Sequence, residues 1–159
     1  MSNSIIIFIH LVGAAVGLGA SVFCLLLWPR LDAMETEKTL DENSITYKIM
    51  DLLAPTVFVS VLVLVGTGIY YLMENYTDQV NLKDGYYNIL GIKLVFVVVT
   101  FFLSAVATFG LRARIAHLDL RPENKKLVRP TLDTMKIMNQ VTLGTLGFAV
   151  FLGIYLARF

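Results

Sequence analysis

The sequence contains a single cysteine, Cys24, so an intramolecular disulfide is excluded. Histidine is almost as scarce, with only His10 and His117. Charged residues make up 16% of the 159 positions against 57% hydrophobic ones, and a chain this short cannot hide that much apolar surface inside a soluble domain. No low-complexity linker divides the chain, which reads as one domain. No basic residue precedes the first apolar run, which is also too long for a signal-peptide core, so a cleaved leader is not expected.

What the chain does have is apolar runs near 5–28, 52–73, 89–111 and 141–157, each close to the roughly 20 residues that a spanning helix needs. Lipid offers no partner to free backbone groups, which leaves closed helices as the economical solution. The expected fold is therefore all-α: an integral membrane four-helix transmembrane bundle, with helices near 4–29, 44–74, 88–117 and 132–158. Pro55 falls inside the second helix, where a local kink is expected, and Pro122 is expected to stop the third.

The near-neutral net charge conceals an asymmetry. Arg30, Lys38 and Lys48 lie between the first two runs, and Arg112, Arg114, Arg121, Lys125, Lys126, Arg129 and Lys136 lie between the last two. The remaining segments offer only Lys83 and Arg158. The excess of lysine and arginine marks the cytoplasmic side, so both basic loops are expected inside and both termini on the outer side. The basic loop thus faces a lipid bilayer, and nothing in it calls for nucleic acid.

His10 stands among Ile9, Leu11 and Val12, where an imidazole is costly unless something uses it. Helical spacing puts it on one face with Gly13, Ala14, Gly17, Ser21 and Cys24. Such a small-residue face serves close helix packing, and a flat cofactor would use the same surface. Lys93 lies a few residues inside the outer end of the third helix, followed on nearly the same stripe by Thr100, Ser104 and Thr108. At 1.5 Å per residue, His10 and Lys93 fall at similar depth, about 6 to 9 Å below the outer boundary. Lys93 can snorkel to the headgroups or serve a site shared with His10. Small faces at Gly144 and Gly147 suit association into a homodimer.

These residues resemble a family. The stretch from HLVG at His10 to LLLWPRL is similar to the first helix of the HemJ-type membrane protoporphyrinogen IX oxidases and their CopD-like relatives. YKIMDLLAPTVFVSVLVLVGTGIYYL is similar to the second helix, GIKLVFVVV with Lys93 to the start of the third, and MNQVTLGTL to the fourth. The likeness covers nearly the whole chain through His10, Pro29, Arg30, Pro55, Gly68, Lys93 and Asn139. Gln140 and Thr142 stand where the family carries glutamate and proline.

The resemblance implies a bacterial-type inner-membrane oxidoreductase that binds haem b, takes a porphyrin-type substrate and passes electrons to a membrane acceptor. It implies His10 as the iron ligand, with Gly13, Gly17, Arg30, Lys93 and Asn139 around the cofactor, and Lys93 also in catalysis. A neutral imidazole is a good iron ligand. Lys93 would either occupy the sixth position or pair with a propionate. Two other readings stand beside this one. A CopD-like copper transport protein would want methionine and histidine ligands within its helices. Here Met1, Met34, Met50, Met135 and Met138 read as terminal, in loops or near helix ends, with Met73 at the outer boundary. A non-catalytic membrane subunit would need only the packing glycines.

Overall fold

The computed structural model describes residues 2–34, 45–76, 85–118 and 126–157. Helix α1 spans Ser2–Met34, α2 Ile45–Tyr76, α3 Tyr86–Ala105, and α5 Val128–Leu156. Between α3 and α5 the third rod continues through a π-helical segment, Val106–Leu111, into the short α4, Arg112–Leu118. The described residues contain no strand.

Four helical rods are long and apolar enough to cross a membrane, and the share of buried residues in their most apolar windows is only 11% to 22%. The rest of that apolar surface points away from the bundle: Leu11, Leu26, Leu52, Val95, Phe102, Phe109 and Phe151 are all exposed. In water such faces would aggregate, and a hydrocarbon solvent resolves them. The chain is thus a multi-pass membrane protein by the length and composition of its helices.

Local signals place the helix ends. Gly85 adopts a left-handed φ of 92°, which glycine tolerates without a Cβ clash, and its carbonyl accepts the Ile89 N–H at 3.2 Å as α3 begins. Pro29 and Pro55 both lie inside helices, and α1 runs on past Pro29 to Met34. Pro55 supplies no N–H to the carbonyl of Asp51. Pro122 lies outside the described residues. The fourth membrane helix begins at Val128, four residues earlier than the sequence pattern suggests.

The rods form a ring in which α1 packs chiefly on α2 and α3 on α5, closed by lesser α1–α5 and α2–α3 contacts. Their inward faces carry the core. One cluster joins Cys24, Trp28, Met50, Ala54, Ile115, Val128, Leu132 and Met135, and a second joins Ala14, Leu64 and Leu146. Met50 and Met135, near the starts of α2 and α5, are 4% and 1% exposed and belong to the core.

Much of the interior is hydroxyl-bearing, with Ser21, Ser60, Thr100, Ser104, Thr108 and Thr142 all buried. Most of these groups satisfy themselves on backbone. Ser60 donates to the Thr56 carbonyl and Ser104 to the Phe101 carbonyl. Thr100 bonds both the Phe96 carbonyl and Thr145 Oγ1 on α5, at 2.7 and 2.8 Å, and Thr108 donates across to the Ala54 carbonyl on α2 at 3.0 Å. Such bonds tie helices together where lipid competes poorly for them.

Candidate functional site

The inward stripe of α1 runs His10, Ala14, Gly17, Ser21, Cys24, Trp28, Leu31, and all but His10 are buried. The same transition occurs on the neighbouring rods. Ala14, Leu64, Thr100, Leu146 and Ala149 form a buried tier, and beyond it His10, Thr67, Gly68, Lys93 and Gly153 are half-buried. Apart from the buried Leu156, the inward positions at this end of the bundle are only half-buried, and this end is called the vestibule below.

His10 is fixed there by α2. Its Nδ1 lies 2.7 Å from Thr67 Oγ1, and that hydroxyl is also 2.6 Å from the Val63 carbonyl one turn back. A hydroxyl has one proton, and the carbonyl can only accept it. Thr67 Oγ1 therefore accepts from His10, which makes Nδ1 the protonated ring nitrogen and leaves Nε2 with its lone pair. Gly68 lies beside the ring: a Cβ at that position would stand 3.8 Å from His10 Cε1, in ordinary van der Waals contact.

Lys93 reaches the same end of the bundle from α3. Its Nζ lies against α5, where a Cβ on Gly153 would come within 3.1 Å. The structure thus brings His10 and Lys93 together, with Thr67, Gly68 and Gly153 as the positions that hold or admit them. Gly153 is the residue missed from sequence. It stands one turn beyond Ala149 on the inward stripe of α5, and only the arrival of Lys93 from another helix makes its lack of a side chain matter.

The small-residue face beyond His10 belongs to packing. A Cβ on Gly13 would meet Val63 Cγ1 at 3.2 Å, and one on Gly17 would meet Ser60 Cβ at 3.2 Å and Leu146 Cδ2 at 3.3 Å. Residues of α2 and α5 lie against this face, so close helix contact is what the structure shows for Gly13 and Gly17.

Arg30 and Asn139 stand apart from His10, in the half of the bundle nearer the basic end. Arg30 is exposed near the far end of α1, about 30 Å along the helix from His10 at 1.5 Å per residue, beyond the reach of one tetrapyrrole. Asp51, at the same end, pairs with Arg112. Both side chains of that pair keep more than a third of their surface, so it contributes little to stability. Asn139 lies 11 residues inside α5, about 16 Å from its start, and its Nδ2 donates to the Ser21 carbonyl at 3.1 Å. His117 is exposed on α4, at the end away from His10.

Among the described residues, two buried side-chain polar atoms have no hydrogen-bond partner, Ser21 Oγ and Trp28 Nε1. The Lys136 ammonium lies 5.3 Å from the centre of the Trp28 ring, a cation–π contact at the basic end of the bundle. The π-helical segment could not be anticipated from the sequence. Arg112 N–H bonds the Ala107 carbonyl five residues back, and the extra residue resets which side chains of the third rod face inward.

Compared with protein-family models, with curated proteins and with solved structures, the chain matches none. The class defined by the fold is a four-helix multi-pass membrane protein, and the site must be read from its own chemistry.

Proposed function

We propose that this protein is a membrane oxidoreductase that binds haem b at the His10 end of its bundle and takes electrons from a porphyrinogen to an acceptor in the membrane. The observation that carries the reading is the Thr67 hydrogen bond, which uses the Nδ1 proton of His10 and keeps Nε2 basic. Histidines that ligate metals have this arrangement, with the second ring nitrogen donating to a fixed acceptor. The porphyrinogen as substrate rests on the resemblance of the helices to the protoporphyrinogen IX oxidases.

The residues fit a haem at its iron and at one propionate, and they exclude a cradle along Gly13 and Gly17. The tetrapyrrole must therefore reach His10 from the vestibule. Bound there, the haem would supply one-electron redox chemistry. The chain's own residues do the rest: Thr67 orients the imidazole, Gly68 and Gly153 leave space, and Lys93 offers a cation to a carboxylate. The basic residues Arg30, Lys48, Arg112, Arg114, Lys126, Arg129 and Lys136 gather at the opposite end, which the excess of positive charge assigns to the cytoplasm. The vestibule then opens on the outer side, as do both termini. A reporter fused to the C-terminal residue should be active only outside the membrane, and activity confined to the cytoplasm would reverse the orientation.

Lys93 separates two roles. Lys93→Leu should leave the spectrum of the bound haem unchanged while raising KM for the porphyrinogen about tenfold to a hundredfold, the value of a charge-assisted hydrogen bond. Lys93→Arg should restore most of the loss, because guanidinium keeps the charge but is a poor metal ligand. A changed haem spectrum in Lys93→Leu would instead make the amine an iron ligand. Normal KM and a normal spectrum together would leave Lys93 a snorkelling residue outside the site.

A further inference from the structure

Away from the vestibule, toward the basic end, the bundle holds a cavity of about 20 Å³ among all the spanning rods. Its wall includes Cys24 on α1, Met50 on α2, Ser104 on α3, and Met135, Asn139 and Thr142 on α5. The volume suffices for one water molecule, and so for one ion of similar size. Three of the wall residues carry sulfur, on three different helices. Cys24 Sγ lies 3.3 Å from Met50 Sδ, and Cys24, Met50 and Met135 are all at most 4% exposed. Neither the haem reading nor the helix contacts of Gly13 and Gly17 make use of this convergence.

We propose that Cys24, Met50 and Met135 form a binding site for a single soft monovalent cation, Cu(I) or its analogue Ag(I). One thiol and two thioethers are a soft donor set, which selects Cu(I) over the harder ions that prefer carboxylate or carbonyl oxygen. Charge decides between monovalent and divalent ions. Binding exchanges the thiol proton for the metal, so Cys24–SH and M⁺ become a neutral metal thiolate and one proton is released. A divalent ion on the same ligands would leave a net positive charge within the hydrophobic core, where no carboxylate lines the cavity to offset it. No redox step is involved, because the ion enters already reduced.

The Cys24–Met50 pair needs little adjustment. For a trigonal ion with metal–sulfur distances of about 2.3 Å, the sulfurs stand about 4.0 Å apart, so Cys24 and Met50 must part by about 0.7 Å. Methionine, with three rotatable bonds, accommodates such a shift without moving a helix. The alternative is that the three sulfurs only fill the core, which a binding measurement separates cleanly.

The test is titration of the purified, detergent-solubilised protein with Ag⁺ and, under reducing conditions, with Cu(I) in competition with a chromogenic chelator. The expected result is one ion per chain, one proton released, and a near-ultraviolet thiolate-to-metal absorption band. Cys24→Ala should abolish the band and the binding. Met50→Leu and Met135→Leu keep the core volume, and each should weaken binding by at least the about tenfold that loss of an outer-shell partner costs at a metal site. Met138→Leu, which does not line the cavity, should bind as the wild type. His10→Ala should also retain the full stoichiometry, so failure of the haem reading leaves this site standing and the reverse also holds. Circular dichroism of each variant checks that it is folded. Absence of stoichiometric binding in the wild type, or binding by a folded Cys24→Ala protein equal to the wild type, would overturn the proposal.

Discussion

His10→Ala protein should purify without haem and show no Soret absorption, whereas His117→Ala should keep the wild-type content. The difference follows from position and hydrogen bonding together. His10 is half-buried at the vestibule with Nδ1 committed to Thr67, and His117 is exposed at the other end of the bundle. Thr67→Val should fall between the two. It keeps the shape of the side chain but removes the acceptor, so Nδ1–H loses its partner and the ring its fixed orientation, and an affinity loss of about 10- to 100-fold is expected. Haem retention is measured as the ratio of Soret to protein absorbance after solubilisation. Equal ratios in wild type and His10→Ala would end the ligand assignment, and equal ratios in wild type and Thr67→Val would remove the hydrogen bond from the argument while leaving His10 in place.

The four membrane helices were legible because a bilayer imposes a length and a composition that leave a strong trace in sequence. Their ends were less so. Helix α1 continues past Trp28 through Pro29 and Arg30 to Met34, and α5 starts at Val128, in segments whose polar residues make the hydropathy run stop before the helix does. In the site, the shared depth of His10 and Lys93 could be read from counting residues, since both enter from the same end. The partners could not. Whether Gly13 and Gly17 face a cofactor or a helix depends on what arrives from elsewhere in the chain, and α2 arrives with Ser60 and Val63. The partner of Asp51 was hidden in the same way, because the third rod, reset by its π-helical segment, presents Arg112 to it. The sulfur cluster was hidden for a related reason. Met50 and Met135 are close to helix ends in sequence, but helices that extend beyond the apolar runs carry those positions into the core.

Gly17→Leu should be the most damaging single substitution on α1 that leaves the candidate ligands untouched. A Cβ there already stands 3.2 Å from Ser60 Cβ and 3.3 Å from Leu146 Cδ2, closer than most real contacts. Alanine can be met by a few tenths of an ångström of movement, but the further carbons of leucine have to displace α2 or α5. Overpacking of this kind costs about 1–3 kcal/mol or more. Between membrane helices the loss is not recovered elsewhere, because close contact rather than water exclusion holds them together. Gly19 and Gly144 provide the controls: a Cβ at either meets nothing within 4 Å, so Gly19→Leu and Gly144→Leu should keep wild-type stability as monomers. The midpoint of thermal unfolding in detergent reads the difference, and a Gly17→Leu midpoint equal to that of Gly19→Leu would show that α1 does not pack on α2 through this face. The consequence extends to the vestibule. Gly17 lies two turns along the inward stripe from His10, so a leucine that parts α1 from α2 also draws His10 Nδ1 away from Thr67 Oγ1. Gly17→Leu should therefore lose haem as well as stability, while Gly17→Ala, which leaves the helices in contact, should retain both.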